Sequence, residues 1–401
     1  MNILLRQTVT VSLLNVATLR TRAGSSAFVV TGIAGVVFVL TALFAMANGL
    51  RETLQSSGEA DRVLLLGKGS RSEINGSISR DQAAIIAGLP GIAISTSPGT
   101  TPSLLLSAEL YATANLPRRD QQGRAGLPLR GVGAAAFGVR PEVRIAKGRS
   151  LLPGRFELIV GESAARLFAG LQTGDTISLK GVDFEVVGHF SAAGRATESE
   201  AWMDVNVMAN VFKRSAWLNT IRLRLETPES LGILTAAIMS DRRLTNSIFR
   251  ESDFYNEQSE SSTRLMTIVG VTVGIIMALG AVATALNSLY SAVSARMREI
   301  AILRAIGFSA APVVVSVLVE SLALSLIGGM LGAALGWLVF DGLRMTSVGA
   351  AYSQVAFRFA VEPTLVLSGV LLALLIGFFG GLLPAVRAAR TSVVDALRSV
   401  A

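Results

Sequence analysis

Few residues in this chain have types and spacing that could do chemistry. The sole histidine, His189, stands in Val186-Val-Gly-His-Phe190 at the end of an extended run. A Ser-His-Asp triad would have to use it, and no G-x-S-x-G elbow accompanies it. It reads as a structural residue. Gly67-Lys68-Gly69-Ser70 invites a phosphate-loop reading, but the first glycine of that motif would fall at Arg62, and Gly69 stands where Ser or Thr is needed. The backbone cradle for phosphates is therefore missing, and ATP hydrolysis is not expected of these residues. Glu198, Glu200 and Asp204 read as a solvated acidic surface. With no cysteine, disulfides, thiolate metal sites and cysteine nucleophiles are excluded. The site reading is thus no catalytic residues, no metal and no cofactor.

What the chain has instead is apolar length. Of its 401 residues 51% are hydrophobic and 16% charged, against about 25% charged in a typical soluble domain. The net charge of +8 is unevenly placed: Gly49 to Ser262 holds 24 Lys and Arg against 23 Asp and Glu. The excess cations therefore flank the apolar stretches, as membrane orientation requires, and nucleic acid is not an expected partner.

Four spans emerge, at 23–50, 263–293, 313–340 and 363–386. Each is long enough, at about 1.5 Å per residue, to cross a hydrocarbon core of about 30 Å. The first is longer than the core of a cleaved signal peptide and reads as a retained span. Arg6, Arg20 and Arg22 precede it; Arg296, Arg298 and Arg304 lie between the second and third spans; Arg387, Arg390 and Arg398 follow the fourth. The positive-inside rule places residues 1–22, 294–312 and 387–401 in the cytoplasm, with both termini inside. Residues 51–262 and the short loop 341–362 are then outside. Glu320, within about two turns of the cytoplasmic end of the third span, is expected to snorkel or to pair with an arginine. Gly328, Gly332 and Gly336 recur every fourth residue, and Gly377 and Gly381 do the same, which predicts close helix packing.

The large block shows helix and strand signals. Asp61 to Gly67, Phe156 to Val160, Thr176 to Leu179, Val182 to Val187 and Asn219 to Leu225 read as strands, with a hairpin at Lys180-Gly181. Ser79-x-x-Gln82 is a capping box that opens a short helix, and further helices are expected at Glu162 to Phe168 and Pro228 to Met239. Tyr111 to Pro128, broken by Pro117 and Gly123, reads as a polar loop. Ser252 to Ser262 is expected to run as helix straight into the second span. The fold class is a membrane α-helical protein with four transmembrane helices and a large α/β (α+β) extracytoplasmic domain between the first two.

The stretch Arg296-Met-Arg-Glu-Ile-Ala-Ile-Leu-Arg-Ala-Ile-Gly-Phe308 resembles the hallmark of the FtsX/MacB-type ABC transporter permeases. The resemblance continues through Val317-Leu-Val-Glu-Ser321, Pro384-Ala-Val-Arg-Ala-Ala-Arg390 and Val394-Asp-Ala-Leu-Arg398, covering the last third of the chain. Asn15 to Thr21 and the run Gly148-Arg149 … Glu157-Leu-Ile-Val-Gly161 … Gly174-Asp175 … Phe184-Glu-Val-Val-Gly188 are also similar to family members. Family members of the MacB type carry a fused ATPase. Here some two dozen residues precede the first span, so the chain looks more like the stand-alone LolC/LolE and DevC types.

That resemblance implies an inner-membrane subunit without enzymatic activity of its own. It implies a separate ABC ATPase, a second permease copy or paralogue, membrane lipids, and room for a periplasmic adaptor protein and an outer-membrane duct. ATP binding would push on the coupling loop, with Arg296, Arg298, Glu299, Ile300, Leu303, Arg304 and Gly307 as its coupling residues. A short helix there could dock through Ile300, Leu303 and Ile306, with arginines facing acidic partners. Three functions stay open. One is an exporter of a lipid, lipoprotein, peptide or drug-like molecule; the second is a mechanical regulator of a periplasmic cell-wall hydrolase; the third is a channel or passive receptor with no ATPase.

Overall fold

The computed structural model describes residues 23–95, 102–120, 123–305, 309–348 and 354–390. The expectations for 1–22, Gly307 and 391–401, and for the side chains of Arg298 and Leu303, lie outside the described residues. The described chain divides into two compact units. One holds residues up to Asn48, Arg264–Leu343 and those from Phe359 onward; the other holds Gly49–Thr263 and Arg344–Arg358.

The first unit is helical. It is formed by α1 (Ala23–Gln55), α2 (Glu251–Ala295), α3 (Met297–Ala305), α4 (Ala310–Phe340) and α5 (Pro363–Arg390), of which residues 49–55 of α1 and 251–263 of α2 belong to the second unit. Four of them, α1, α2, α4 and α5, are long and apolar enough to cross a membrane. Val29, Ile33, Val37 and Leu40 of α1 form a core with Ala281 and Ala285 of α2, Leu324 and Ala333 of α4, and Ala373 and Ile376 of α5. Large apolar side chains such as Leu279, Leu338, Leu371 and Phe379 point outward, as lipid solvation permits.

The small residues make this packing possible. A Cβ on Gly328 would stand 2.8 Å from the Val30 carbonyl, and one on Gly332 would strike the Ala34 carbonyl and come within 2.9 Å of Val37. A Cβ on Gly336 would meet Thr41 at 2.7 Å. All three glycines therefore face α1. Gly377 and Gly381 face Ser325 and Ser321 of α4, where the Ser321 hydroxyl donates to the Gly377 carbonyl at 2.6 Å.

The second unit is built on a ten-stranded mixed sheet. Its strands are β1 (Arg62–Leu66), β2 (Leu106–Pro117), β3 (Arg124–Val132), β4 (Arg144–Gly148), β5 (Glu157–Gly161), β6 (Thr176–Leu179), β7 (Val182–Ser191), β8 (Ala201–Asp204), β9 (Thr220–Arg224) and β10 (Ser247–Arg250). They run in the order β10–β1–β9–β2–β3–β8–β5–β7–β4, with β6 also bonded to β7. The β6–β7 turn has positive φ at both Lys180 and Gly181, as a two-residue hairpin of matching twist requires. Ser79 caps the helix Arg80–Ala87 reciprocally with Gln82.

Tyr111 to Pro128 is not a loop. It forms much of the β2–β3 hairpin, in register from Leu110↔Gly131 to Pro117↔Arg124. Pro117, which suggested a break, and Pro128 are tolerated by position. Pro117 ends β2, and Pro128 precedes Leu129, where pairing of β3 with β8 begins, so its missing N–H faces an unpaired edge. The segment between α4 and α5 also carries a hairpin, Arg344–Val348 with Gln354–Arg358.

One sheet face is apolar. Leu65, Leu110, Leu129, Leu158, Val160, Met203 and Ile221 pack with Ile86, Met208, Leu234 and Ile238 from the covering helices.

Substituting Gly332→Leu is expected to destabilise the helical unit by about 1–3 kcal/mol through overpacking. Thermal unfolding of the detergent-solubilised chain checks this, against Gly280→Leu, where the surrounding space is open.

Candidate functional site

The other face of the sheet carries charge, and it is buried. Side chains alternate across a strand, so Arg62, Arg222, Ser107, Glu109, Tyr111, Arg130 and Trp202 point away from the apolar core. Arg62, Arg130, Arg140 and Arg222 are each 1–2% exposed.

Arg130 grips Glu200 with two parallel bonds, Nε to Oε2 at 2.7 Å and Nη2 to Oε1 at 2.6 Å. It also donates to Glu73 and Glu109, both at 2.9 Å, and lies 5.0 Å from the Tyr111 ring centroid. The Trp202 indole N–H donates to Glu200 at 2.8 Å. Arg140 pairs with Glu109 and lies over the Trp202 ring at 4.6 Å. Arg222 reaches Glu73 and Glu251, both at 2.9 Å. Arg62 reaches Glu251 at 2.8 Å and Glu142 at 2.7 Å.

Removing a charge from water costs several kcal/mol unless it is paired and hydrogen-bonded. Bidentate arginine–carboxylate geometry meets that condition at Arg130, while Arg62, Arg140 and Arg222 are ion-paired but each keeps a buried nitrogen with no hydrogen-bond partner among the described residues. Burial raises the Glu73 carboxyl, but Arg130 and Arg222 outweigh it and hold it down at about 2. Burial likewise acts against ionised Glu109, and Arg140 and Arg130 still pull its pKa below the usual range.

Glu251 occupies a special place in the layer. It is the first residue of α2 and is fully buried, and its Oε2 also accepts the backbone N–H of Glu59 at 3.2 Å. Beside it, a Cβ on Gly58 would stand 2.6 Å from the Ser252 Cα. The chain leaving α1 and the chain entering α2 are therefore pinned side by side within this unit.

Glu198, Glu200 and Asp204 are not a solvated acidic surface; all three are buried. Each has work inside the fold. Glu200 holds Arg130, while Glu198 accepts from the backbone N–H groups of Ala192 and Gly194 and from Ser163. Asp204 caps the helix Val205–Val211 by accepting from the Asn206 and Val207 N–H groups. His189 is buried and structural, its Nε2 donating to the Leu171 carbonyl at 2.7 Å. The network's one faint sequence signal was the alternation Thr220-Ile-Arg-Leu-Arg224.

In the helical unit, α3 and the residue before it hold the described residues that the sequence reading expects to couple to an ATPase. Arg296, just before it, pairs with Glu320 of α4 at 3.7 Å. Arg304 donates to the Ala389 carbonyl at 3.0 Å, and Arg387 lies 5.4 Å from the Tyr290 ring centroid. Ile300 packs against the cluster of Val293, Val313, Val317, Ala385 and Ala388. These residues knit α2, α4 and α5 together, so the side of α3 open to a partner carries Glu299 and Ile302, both exposed.

A family model described as the MacB-like periplasmic core domain matches residues 26–240, and one described as the FtsX-like permease C-terminal matches 271–393. The macrolide export ATP-binding/permease protein MacB of Shewanella oneidensis is 25% identical over 370 residues, covering 84% of this chain and 55% of that protein. The ABC transporter permease YknZ of Bacillus subtilis is 26% identical over 272 residues, covering 64% of this chain and 66% of that one. The chain thus spans between about half and two thirds of these relatives. Among solved structures, the periplasmic region of MacB from Actinobacillus actinomycetemcomitans aligns with a TM-score of 0.38 at 13% identity, over 51% of this chain and 95% of that one.

Glu251→Ala leaves Arg62 and Arg222 short of a partner and should cost about 3–5 kcal/mol. Adding Arg222→Met should return part of that loss, and denaturant unfolding of the purified chain compares the two. Because Glu73 titrates lower when folded, the unfolded chain binds more protons between about pH 4.5 and 2. Stability should therefore hold above about pH 5 and fall as pH drops through that window. Melting curves of the wild type and Glu73→Gln check this, the variant showing the shallower decline.

Proposed function

We infer the function from one premise: the chain belongs to the MacB/FtsX family of ABC transporter permeases. It is a multi-pass membrane protein with four candidate spans. Our reading is that it couples ATP hydrolysis by a separate ATPase subunit to movement of the inserted domain, which stands outside the membrane with both chain termini inside. The movement drives export of a lipid, lipoprotein, peptide or drug-like molecule. Similarity to the Shewanella macrolide export ATP-binding/permease protein supports export.

The observation that carries this reading is α2. It runs unbroken for 45 residues, roughly 67 Å of helix, more than twice what a hydrocarbon core of about 30 Å needs. Its first residue is locked in the buried charge layer, and its last is followed after Arg296 by α3. A stiff element fixed at one end in the inserted domain and followed, after a turn at Arg296, by the coupling helix suits transfer of force.

Pairing of two permease chains is supported by the same helix. In α2 17% of the most apolar window is buried, against 33% or more in the other three spans, which leaves apolar surface for a second copy or for lipid. The ATPase in this scheme docks on α3 through Glu299 and Ile302, while Arg296, Ile300 and Arg304 hold α3 against the spans.

Co-reconstitution with an ABC ATPase in proteoliposomes tests the reading. The chain should stimulate ATP turnover, and Ile302→Asp should reduce the stimulation about tenfold without loss of the chain from the membrane. Unchanged stimulation in the variant would remove α3 as the docking element, and no stimulation by the wild type with any paired ATPase would remove the coupling function.

A further inference from the structure

The hairpin between α4 and α5 carries an electrostatic anomaly. Arg344 and Arg358 are directly opposite each other across its antiparallel strands. Like charges so placed repel, with Cα atoms about 4.5–5.5 Å apart. Both side chains are exposed, and neither has an ion-pair partner among the described residues.

Both line a cavity of about 920 Å³ within the inserted unit. The other two arginines of its lining are already engaged. Arg118 pairs with Asp120 at 2.8 Å, and Arg166 with Glu162 at 3.4 Å and Glu198 at 3.2 Å. Arg118, Arg166, Arg344 and Arg358 are matched in number by Glu52, Asp120, Glu162 and Glu198, so the lining is neutral as a whole and its two arginines without a carboxylate partner sit together on the hairpin.

Covalent reach fixes the surroundings of this pair. Arg344 follows the last residue of α4 by four positions, and Arg358 precedes the first of α5 by five. At no more than about 3.6 Å per residue, each lies within about 18 Å of the end of a membrane-spanning helix. Trp337, 53% exposed in the last turn of α4, marks that end as an interfacial level. Leu343 and Met345, flanking Arg344, are 43% and 47% exposed, an apolar border beside the charge.

We propose that Arg344 and Arg358 bind the phosphate of an anionic phospholipid headgroup. Two guanidinium forks clasp one phosphodiester from both sides, which turns their mutual repulsion into a shared attraction. Leu343 and Met345 then meet the upper acyl chain. This lipid contact is independent of nucleotide and of the coupling helix.

The test uses the full chain in micelles doped with phosphatidylglycerol or phosphatidylcholine, followed by native mass spectrometry of retained lipid. The wild type should retain phosphatidylglycerol in preference to phosphatidylcholine. R344Q/R358Q should lower that retention roughly 30-fold, at about fivefold per arginine near a membrane surface. R242Q/R243Q, on a remote exposed turn, should leave it unchanged. In lipid-free micelles R344Q/R358Q should melt no lower than the wild type, because the repulsion is gone, and this separates lost binding from lost fold. Equal retention of the two lipids, unchanged retention in R344Q/R358Q, or displacement of the lipid by millimolar inorganic phosphate would overturn the proposal.

Discussion

A carboxylate with no exposed surface, Glu251, is shared by two arginines that are themselves almost wholly buried. Each of these charges would be costly alone, because the interior cannot replace its hydration. Together with Arg130, Glu73, Glu109 and Glu200 they pair with one another, and the layer exists only when the strands that carry it and the root of α2 are in place. The sheet therefore does not tolerate a loosely docked α2. That demand for charge pairing fixes where the long helix begins and how the chain leaving α1 passes beside it.

The two faces of the sheet hold in part by different physics, although the second also packs Ile159, Val187 and Phe190 around Trp202 beside its charges. The apolar face gains from burial and is indifferent to direction, so its contacts accept small shifts. The charged face is directional and fails sharply when one member moves. In the helical unit close backbone approach does the equivalent work. Gly328, Gly332 and Gly336 bring α4 onto α1, and Ser321 with Gly377 joins α4 to α5. Where lipid removes the hydrophobic incentive, small residues and interhelical hydrogen bonds supply the specificity.

The arginines near α3 show why residue type alone misassigns roles. Read along the chain, Arg296 and Arg304 are cations beside apolar segments, equally suited to lipid, partner or self. In the fold both turn inward, onto Glu320 and the Ala389 carbonyl, and the exposed side is left to Glu299 and Ile302.

Much was legible in the sequence because it depends on local periodicity and hydration. The four apolar spans, the capping box at Ser79 and Gln82, the Lys180-Gly181 turn and the glycine faces all follow from chain-local rules. The buried charge layer does not. Thr220-Ile-Arg-Leu-Arg224 shows which residues share a face, but period two says nothing about whether water reaches that face. Only the tertiary structure decides it, by laying Glu73, Arg140 and Glu251 from distant segments over the sheet. The same holds for Glu198, Glu200 and Asp204, whose charges suggest a wet surface until their partners close over them. Desolvation belongs to the assembled neighbourhood, and no stretch of sequence carries it by itself.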